Sequence, residues 1–473
     1  MQVTEKIAAF RARMKDENFA AVIVPTADSH ASEYIADYFK TRQWLSGFTG
    51  SAGTLVVGEK EAALFVDGRY FIQAERQIAG SGITLMRMGT AGTPKLEEYL
   101  TALLHENDAL GVDFGVVSEK FAEDMRETAA KSGALLRDTG DWFSDLWKDR
   151  PPMPQEKAFI LDEQYAGQSV QSKVSAIRKA MAERGAQLHV LNVLDDIAWV
   201  LNVRGGDVLN TPVVMSYLVI GQKHVNWFVD ETKVDDAMRK TLADEGVNVR
   251  GYDEIIPALK GLEPDVKVLA DASRLTAALM SALEKAEIIR AENPSTMMKA
   301  VKNDVELDNL RRAHVKDGVA VTRLMYWLKQ NVGKIPMTEI SVSDKLLALR
   351  QGEVDFSVAK VADFASFTSE VKVLAVYNQE RLEGYPDVPT MGDLGYYDQW
   401  LGSSRCIVAP AGTPENVIKF YEDAFQKLME DADYLKAAEA AGMETDYKNS
   451  ADTAALIKQQ QDFTESLADV WGD

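Results

Sequence analysis

The chain has 473 residues, which corresponds to about three domains of typical size. Hydrophobic residues make up 46% and charged residues 26%, a composition typical of a folded globular protein rather than a disordered one. The net charge of −21 argues against binding to nucleic acid or to anionic membranes, because both repel an acidic surface. A single cysteine, Cys406, excludes an intrachain disulfide and a multi-cysteine zinc site.

The N-terminal segment does not have the pattern of a secretory signal. Residues Thr4–Glu17 read as a mixed-charge amphipathic helix without the apolar stretch of a signal peptide. No run of 18 apolar residues follows, so no membrane-spanning helix is predicted. We therefore expect a cytoplasmic protein.

One order of helices and strands occurs twice in the first 300 residues. The first copy starts with the helix Thr4–Glu17, and the second with an amphipathic helix at Ser172–Arg184. The simplest interpretation is two mixed α/β domains in tandem. Predicted strands of the first copy are Ala20–Pro25, Thr54–Val57, Ala62–Asp67 and Ile83–Met88, and those of the second are Gln187–Val193, Val213–Ile220 and His224–Val229.

Two boundaries divide the chain further. The proline-rich segment Asp149–Lys157 predicts a linker, since consecutive prolines block helix formation, and a second boundary falls at Glu292–Ser295. Beyond it, Asn303 and Glu306 have the spacing of a capping box, which predicts a long helix to about Gln330. Its expected buried face consists of Leu307, Leu310, Val321, Leu324 and Leu328.

The pattern changes again near Arg350. Short buried strands are predicted at Gly352–Ala359 and Val371–Tyr377, and a turn at Pro386–Pro389. Pro414 then begins a helix, and the last 45 residues read as helical and charged.

Two segments near the N-terminus contain residue types that bind anions or metals. The glycine-rich run Ser46–Gly53 either cradles an anion or forms a tight turn that needs positive φ angles, and we favour the turn. Asp28, His30 and Glu33 form the only local cluster of metal-ligating types. The same residues are typical of a turn before a helix, which is the interpretation that we favour.

Three further charged positions have both a functional and an ordinary structural interpretation. The pair Asp195–Asp196 fits the cap of a helix better than a pair of catalytic carboxylates. Arg69 follows a strand beside a glycine, so its guanidinium either binds a carboxylate or peptide carbonyl or forms a surface salt bridge. His314 lies in the long helix and is interpreted as a packing or surface residue.

Several of these segments closely resemble the three-domain Xaa-Pro aminopeptidases (aminopeptidase P), over about residues 1–350. The resemblance implies two tandem creatinase-type N-terminal α/β domains at residues 1–148 and 158–292. It also implies a truncated helical start of a pita-bread metallopeptidase domain at residues 296–350. The segments that carry it are Asp28–Tyr34, Trp44–Gly53, Asp67–Phe71, Trp147–Pro151, Leu194–Asp207, Lys299–Asn303 and Ala313–Gly318.

The resemblance also implies what is missing. Enzymes of this family hold two Mn or Zn ions with two Asp, one His and two Glu of the pita-bread domain, and the ions activate a water. No histidine follows His314, and no matching ligand segment follows residue 350. We therefore expect no cofactor, no metal ligand and no catalytic residue. Only Arg69 carries over, as a substrate-binding residue that contacts a proline-containing peptide in a neighbouring subunit, which implies a homodimer formed through the N-terminal domains.

Residues 352–473 resemble a different family, the substrate-binding proteins of tripartite tricarboxylate transporters (Bug type). The resemblance implies the incomplete C-terminal part of a two-lobed α/β periplasmic-binding-protein fold, which in complete proteins clamps a small carboxylate. The segments that carry it are Gly352–Asp355, Val371–Val376, Tyr385–Thr390 and Ala409–Pro414.

The sequence thus supports an aminopeptidase-like fusion product, joined near Arg350 and without peptidase activity, as the leading hypothesis. The alternative is a module that binds a small carboxylate through residues 352–473. An active hydrolase with an improvised metal site is disfavoured, because only five histidines are present. Loss of the pita-bread sheet also predicts exposed apolar surface on the helix at 304–330.

Overall fold

The computed structural model describes residues 1–351, 375–376, 380–381, 385–395, 408–410, 412–440 and 447–466. The chain divides into two compact units, Met1–Lys316 and Asp317–Asp473. The predicted strand Gly352–Ala359 and most of Val371–Tyr377 lie outside the described residues.

The first domain is a six-stranded sheet with helices packed on both faces, in accordance with the predicted α/β fold. Side chains alternate along the first strand: Val22 and Val24 pack with the N-terminal helix, whereas Ala21 and Ile23 pack on the opposite face. Its elements are α1 (Val3–Asp16), β1 (Ala21–Pro25), α2 (Thr41–Ser46), β2 (Thr54–Gly58), β3 (Ala62–Val66), α3 (Phe71–Gln77), β4 (Ile83–Arg87), α4 (Leu96–Leu103), β5 (Ala109–Val112), α5 (Glu119–Ala130), β6 (Leu135–Asp138) and α6 (Phe143–Leu146).

The second domain contains a sheet of the same size. Its elements are β7 (Phe159–Ile160), α7 (Glu163–Ala166), α8 (Val170–Glu183), β8 (Leu188–Leu191), α9 (Leu194–Leu201), β9 (Val203–Arg204), β10 (Ser216–Gly221), β11 (Val225–Val229), α10 (Asp236–Asp244), β12 (Val247–Gly251), α11 (Ile255–Lys260), β13 (Lys267–Ala270), α12 (Ala277–Ala282), β14 (Glu287–Arg290) and α13 (Pro294–Ala300). The predicted strand at Val213–Ile220 starts later than expected, at Ser216.

The two sheets have the same topology, which confirms the internal repeat. The strand orders are β4-β3-β2-β1-β5-β6 and β12-β11-β10-β8-β13-β14. In each sheet the centre is antiparallel, and the outer pairs β3–β4, β5–β6, β11–β12 and β13–β14 are parallel.

Equivalent loops of the two domains are joined directly. Ser118, before α5, forms an antiparallel bridge with Thr276, before α12. The N–H of Glu119 donates to the carbonyl of Leu275, and the N–H of Ala277 donates to that of Val117, both at 2.9 Å. An apolar cluster that includes Phe39 of the first domain and Met215 of the second packs across the same boundary. The two domains therefore share a core.

Helices dominate the described residues after the second domain. They are α14 (Asp304–Asn331), α15 (Glu339–Gln351), α16 (Glu415–Leu428), α17 (Ala432–Ala440) and α18 (Ser450–Ser466). The predicted capping box is present: the N–H of Asn303 donates to Glu306 Oε2 at 3.0 Å, and the N–H of Glu306 donates to Asn303 Oδ1 at 2.9 Å. Within the described part of the chain, no helix is long and apolar enough to cross a membrane.

Burial along α14 differs from the expected single face. Leu324 is buried at 8% exposure, but Leu310 is 41% exposed and Val315 is 68% exposed. This agrees with the predicted exposed apolar surface on the helix at 304–330, because the described residues leave the side chains of Leu310 and Val315 partly uncovered.

Candidate functional site

Arg69 projects from the first domain between the end of β3 and the start of α3. Its side chain is 69% exposed and forms a two-pronged ion pair with Asp67: Nε to Oδ1 and Nη2 to Oδ2, each at 2.9 Å. This hydrogen bonding lowers the pKa of Asp67 to about 2 and raises the pKa of Arg69. The guanidinium thus combines the two interpretations left open by the sequence: it is paired, and it is accessible to a ligand.

The glycine-rich run lies against the same segment. The ring of Phe48 packs edge-on against Tyr70 with centroids 5.7 Å apart, and the Ser51 and Tyr70 hydroxyls are 2.6 Å apart. Gly47 has φ +74°, as the turn interpretation requires, and a Cβ at Gly50 would lie 2.2 Å from the Phe48 ring. Close packing and a turn therefore explain both glycines.

Arg42, which the sequence analysis did not identify, fixes this loop through hydrogen bonds to its backbone. Its guanidinium donates to the carbonyls of Phe48 at 2.6 Å and Gly50 at 2.5 Å, and to the hydroxyl of Thr26 at 2.9 Å. Arg42 is 3% exposed, and burial lowers its pKa to about 10. Its position in the polar run before the glycines gave no signal of burial, since arginines on short helices are mostly solvated.

Asp28 and His30 form a joint between the two domains rather than a metal site. Asp28 Oδ1 accepts from the N–H groups of His30 and Ser32, which is the turn that we favoured. The His30 ring lies 2.9 Å from both the carbonyl of Asn192 and the hydroxyl of Tyr252 in the second domain. Burial lowers the pKa of His30.

A metal does not fit this cluster. Both ring nitrogens of His30 are already hydrogen-bonded, and Glu33 is exposed and lines a cavity on the other side of the loop. Among the described residues, no group of three or more His, Cys, Asp or Glu side chains is arranged to hold a metal ion.

Asp195 and Asp196 lie in the first turn of α9, but neither caps it. Val193 is the N-cap residue, and no side chain accepts there. Instead, Lys299 of α13 forms ion pairs with both carboxylates, at 2.7 Å for Asp196. Ser295 also donates to Asp196 at 2.8 Å. The cap interpretation is corrected: the pair holds α13 against α9, because the carboxylates find a lysine and a hydroxyl nearer than the backbone N–H groups.

His314 is exposed on α14, in agreement with a surface role. The residues that the sequence analysis missed at the domain boundary are Asn192 and Tyr252. Asn192 Nδ2 donates to the carbonyls of Ser29 and Arg274, at 3.2 and 2.9 Å. Each side chain serves a partner more than 80 positions away in the sequence, so no local pattern could have identified it.

Comparison with known proteins supports the two resemblances. Residues 6–146 and residues 149–306 each match a family described as the creatinase/prolidase N-terminal domain. Residues 327–469 match the tripartite tricarboxylate transporter family receptor. The third match starts within α14, upstream of the join near Arg350 that the sequence suggested.

Individual relatives are aminopeptidases. Aminopeptidase P2 of Arabidopsis thaliana is 34% identical over 390 residues, which covers 75% of this chain and 55% of that protein. Xaa-Pro aminopeptidase 1 of Dictyostelium discoideum is 30% identical over 367 residues and covers 75% and 58%, respectively. The chain thus spans little more than half the length of these curated relatives.

A solved structure is similar to most of the fold. X-prolyl aminopeptidase from Caenorhabditis elegans, described as a cytosolic enzyme with a di-nuclear active site, has a TM-score of 0.70 and 27% identity. The match covers 76% of this chain and 61% of that one. This chain is therefore a mosaic: its first two domains belong to the creatinase/prolidase N-terminal domain family, as in Xaa-Pro aminopeptidases, and its C-terminal part is similar to tripartite tricarboxylate transporter receptors.

Proposed function

We propose that residues 1–473 form a non-hydrolytic relative of the Xaa-Pro aminopeptidases, which retains the two N-terminal domains as an assembly and peptide-contacting unit. The observation that carries the proposal is the contrast between two complete sheets and the lack of histidine after His314. Two-metal hydrolysis needs ligands fixed in space to lower the pKa of the attacking water. We expect the chain to hold no such ion pair.

Hydrolysis is tested with the peptide Ala-Pro-Ala, with Mn²⁺ or Zn²⁺ added. The expected result is no release of alanine above a buffer blank. Release that a chelator abolishes would overturn the proposal. Metal analysis after dialysis provides an independent check, for which we expect well under one ion per chain.

Arg69 is the proposed peptide contact. Its exposed guanidinium already holds the Asp67 carboxylate with two hydrogen bonds, and a peptide carbonyl or carboxylate presents the same acceptor atoms. A proline-containing peptide is expected to bind the chain, and Arg69→Gln is expected to weaken binding. Arg76→Gln, an exposed arginine in the last turn of α3, is the control. Equal affinities for the two variants would count against this role.

Assembly is the second part of the proposal. The relatives' arrangement implies that an Arg69-bearing domain serves a second subunit, so the full chain is expected to be a homodimer. Light scattering at micromolar concentration measures this directly. A monomer mass would contradict it. The proposed location is the cytoplasm, which is supported by the Caenorhabditis elegans relative and is tested by cell fractionation.

A second candidate function rests on the match of residues 327–469 to transporter receptors. In this case the chain binds a small carboxylate through that segment. Citrate at 100 times its Kd would then stabilise the folded state by about 2.7 kcal/mol and raise the melting temperature. A melting temperature unaffected by citrate would remove this candidate.

A further inference from the structure

A cavity of about 250 Å³ lies where the glycine-rich loop of the first domain approaches the loop between β9 and β10 of the second. Thr49, Gly50 and Ser51 line one side, and Val208 and Leu209 line the other. The cavity is smaller than typical drug-binding pockets, which begin at about 300 Å³, and so suits a small ligand. Its lining does not include the residues of the His30 joint, and it borders the Arg69 segment where the Ser51 hydroxyl lies 2.6 Å from that of Tyr70.

The wall of this cavity contains a buried cation without a counter-ion. Arg42 lines the cavity at 3% exposure, and it donates only to two backbone carbonyls and one hydroxyl. No carboxylate in the described part of the chain forms an ion pair with it. A buried charge without a partner is costly, and it attracts an anion more strongly there than it would in water.

Unused donors surround the same space. Gly50 is buried, and within the described residues neither its N–H nor that of Ser51 has a hydrogen-bond acceptor. Buried backbone N–H groups are nearly always paired, so the free N–H of the buried Gly50 beside a cavity indicates an acceptor that the chain itself does not supply. Ser51 is exposed, and its N–H is open to solvent at the same edge of the cavity. The side chains of Tyr34 and Asn210 also line the cavity and add polar groups.

The opposite side is apolar. Leu209 is 85% exposed although it borders the cavity, and Val208 and Phe39 are buried beside it. A large apolar side chain held in water at the rim of a polar cavity gains free energy if a ligand covers it. Glu33 is the one anionic group at the rim, and because it is exposed it can turn to solvent.

We infer that this cavity binds a small carboxylate with an apolar side group, either a free N-acyl amino acid or the C-terminal residue of a peptide. The carboxylate lies at the N–H groups of Gly50 and Ser51, in the field of Arg42. The apolar group covers Leu209. This goes beyond the proposed function, because it requires neither Arg69 nor hydrolysis.

The inference is tested by isothermal titration calorimetry of the full chain with N-acetyl-L-leucine and with N-acetyl-L-leucine amide. The acid is expected to bind at least tenfold more tightly than the amide, because the amide has no charge for Arg42. The peptide Ala-Ala-Leu distinguishes the two sources. Tighter binding of this peptide than of the acetyl compound indicates a peptide terminus, whereas weaker binding indicates a free acid.

Variants place the ligand in this cavity rather than in the transporter-like segment. Ser51→Glu puts a carboxylate in the cavity wall and is expected to lower the affinity for N-acetyl-L-leucine more than tenfold. Glu33→Gln removes an opposing negative charge and is expected to raise that affinity several-fold. Ser144→Glu, an exposed serine that does not line the cavity, is the matched control. Circular dichroism confirms that each variant is folded.

Three outcomes would overturn the inference: equal affinity for acid and amide, unchanged affinity in Ser51→Glu, or equally tight binding of sulfate, which would indicate an adventitious ion only. Peptide hydrolysis and dimer mass are measured separately. Failure here therefore leaves the proposed function standing, and the reverse also holds.

Discussion

Residues 1–316 and the described residues after them both contain helices, but they differ in how much apolar surface those helices bury. In the first unit, both faces of each sheet bury apolar side chains, in four separate clusters. In the second unit, the buried apolar residues among those described are Ala320, Leu324, Val376 and Ala438. Large side chains there are exposed instead, such as Tyr326 and Phe420, both at 67%, and Ile340 at 74%.

The contrast shows which properties of a helix are local. The capping box at Asn303 and Glu306 forms although most of the residues of α14 that follow it are exposed or only partly buried. Capping and backbone hydrogen bonds need only a few adjacent residues. Burial needs a second surface, and most of the stability of a helix in a protein comes from that packing. A helix can therefore keep its cap where little of its surface is buried.

The largest expected effect is in limited proteolysis of the full chain. Cleavage is expected first after residue 316, because few buried contacts oppose local opening there. Trypsin should cut at exposed sites such as Lys334 and Arg350, leaving a resistant N-terminal fragment. Mass spectrometry identifies the ends. If the region after residue 316 proves as resistant as the first domain, the comparison fails and the two parts form one joint core.

Two phenylalanines sharpen the same comparison. Phe65 is 1% exposed in β3, and Phe420 is 67% exposed in α16. Phe65→Ala is expected to lower the free energy of unfolding by about 3–5 kcal/mol, because it leaves a cavity. Phe420→Ala is expected to change it by less than about 0.5 kcal/mol. Denaturant unfolding measures both. A large loss in Phe420→Ala would mean that its ring is covered in solution.

The two domains of the first unit differ in their response to acid. Burial lowers the pKa of His189 to about 4, from about 6.5 in the unfolded chain. The stability that the buried neutral ring provides is therefore fully present above the unfolded pKa, and it is lost as the pH falls toward 4. The loss is about 3 kcal/mol. We expect His189→Gln to flatten the stability profile between pH 7 and pH 4, and His105→Gln, at an exposed position, to leave it unchanged. Identical profiles for the two variants would refute this.

Asp113, in the first domain, changes the stability with pH in the opposite direction to His189. Burial raises the pKa of Asp113 to about 6. The stability that its buried, protonated carboxyl provides is therefore fully present below the unfolded pKa and is lost as the pH rises through 6. Asp113→Asn should therefore make the net loss of stability on acidification larger. An unchanged loss would show that Asp113 is solvated in solution.

The smallest expected effect concerns the last helix of the second domain. Lys299→Met leaves the buried Asp196 without its cation, with the hydroxyls of Ser295 and Thr296 still donating to it, so we expect a loss of about 1–2 kcal/mol. Lys240→Met breaks an exposed pair with Asp244 and should cost less than about 0.5 kcal/mol. Equal losses would indicate that Asp196 is solvated.

The sequence by itself determined the repeat, the α/β class and the start of α14. These depend on periodicity within a strand or helix and on capping residues three positions apart, which are properties of neighbouring residues. It also identified the two families, because the segments Trp44–Gly53 and Ala409–Pro414 are distinctive where they stand.

Only the tertiary structure decided the roles of individual polar groups. His30 meets Asn192 and Asp196 meets Lys299 because the fold brings together segments that are distant in sequence. A polar side chain satisfies its hydrogen bonds with whichever partner is nearest once water is excluded, and that partner depends on packing. The same reason explains why Leu310, which was predicted on the buried face of α14, is 41% exposed although Leu324 of that face is buried. Amphipathic spacing indicates which side chains share a helix face, and only the surrounding fold covers that face.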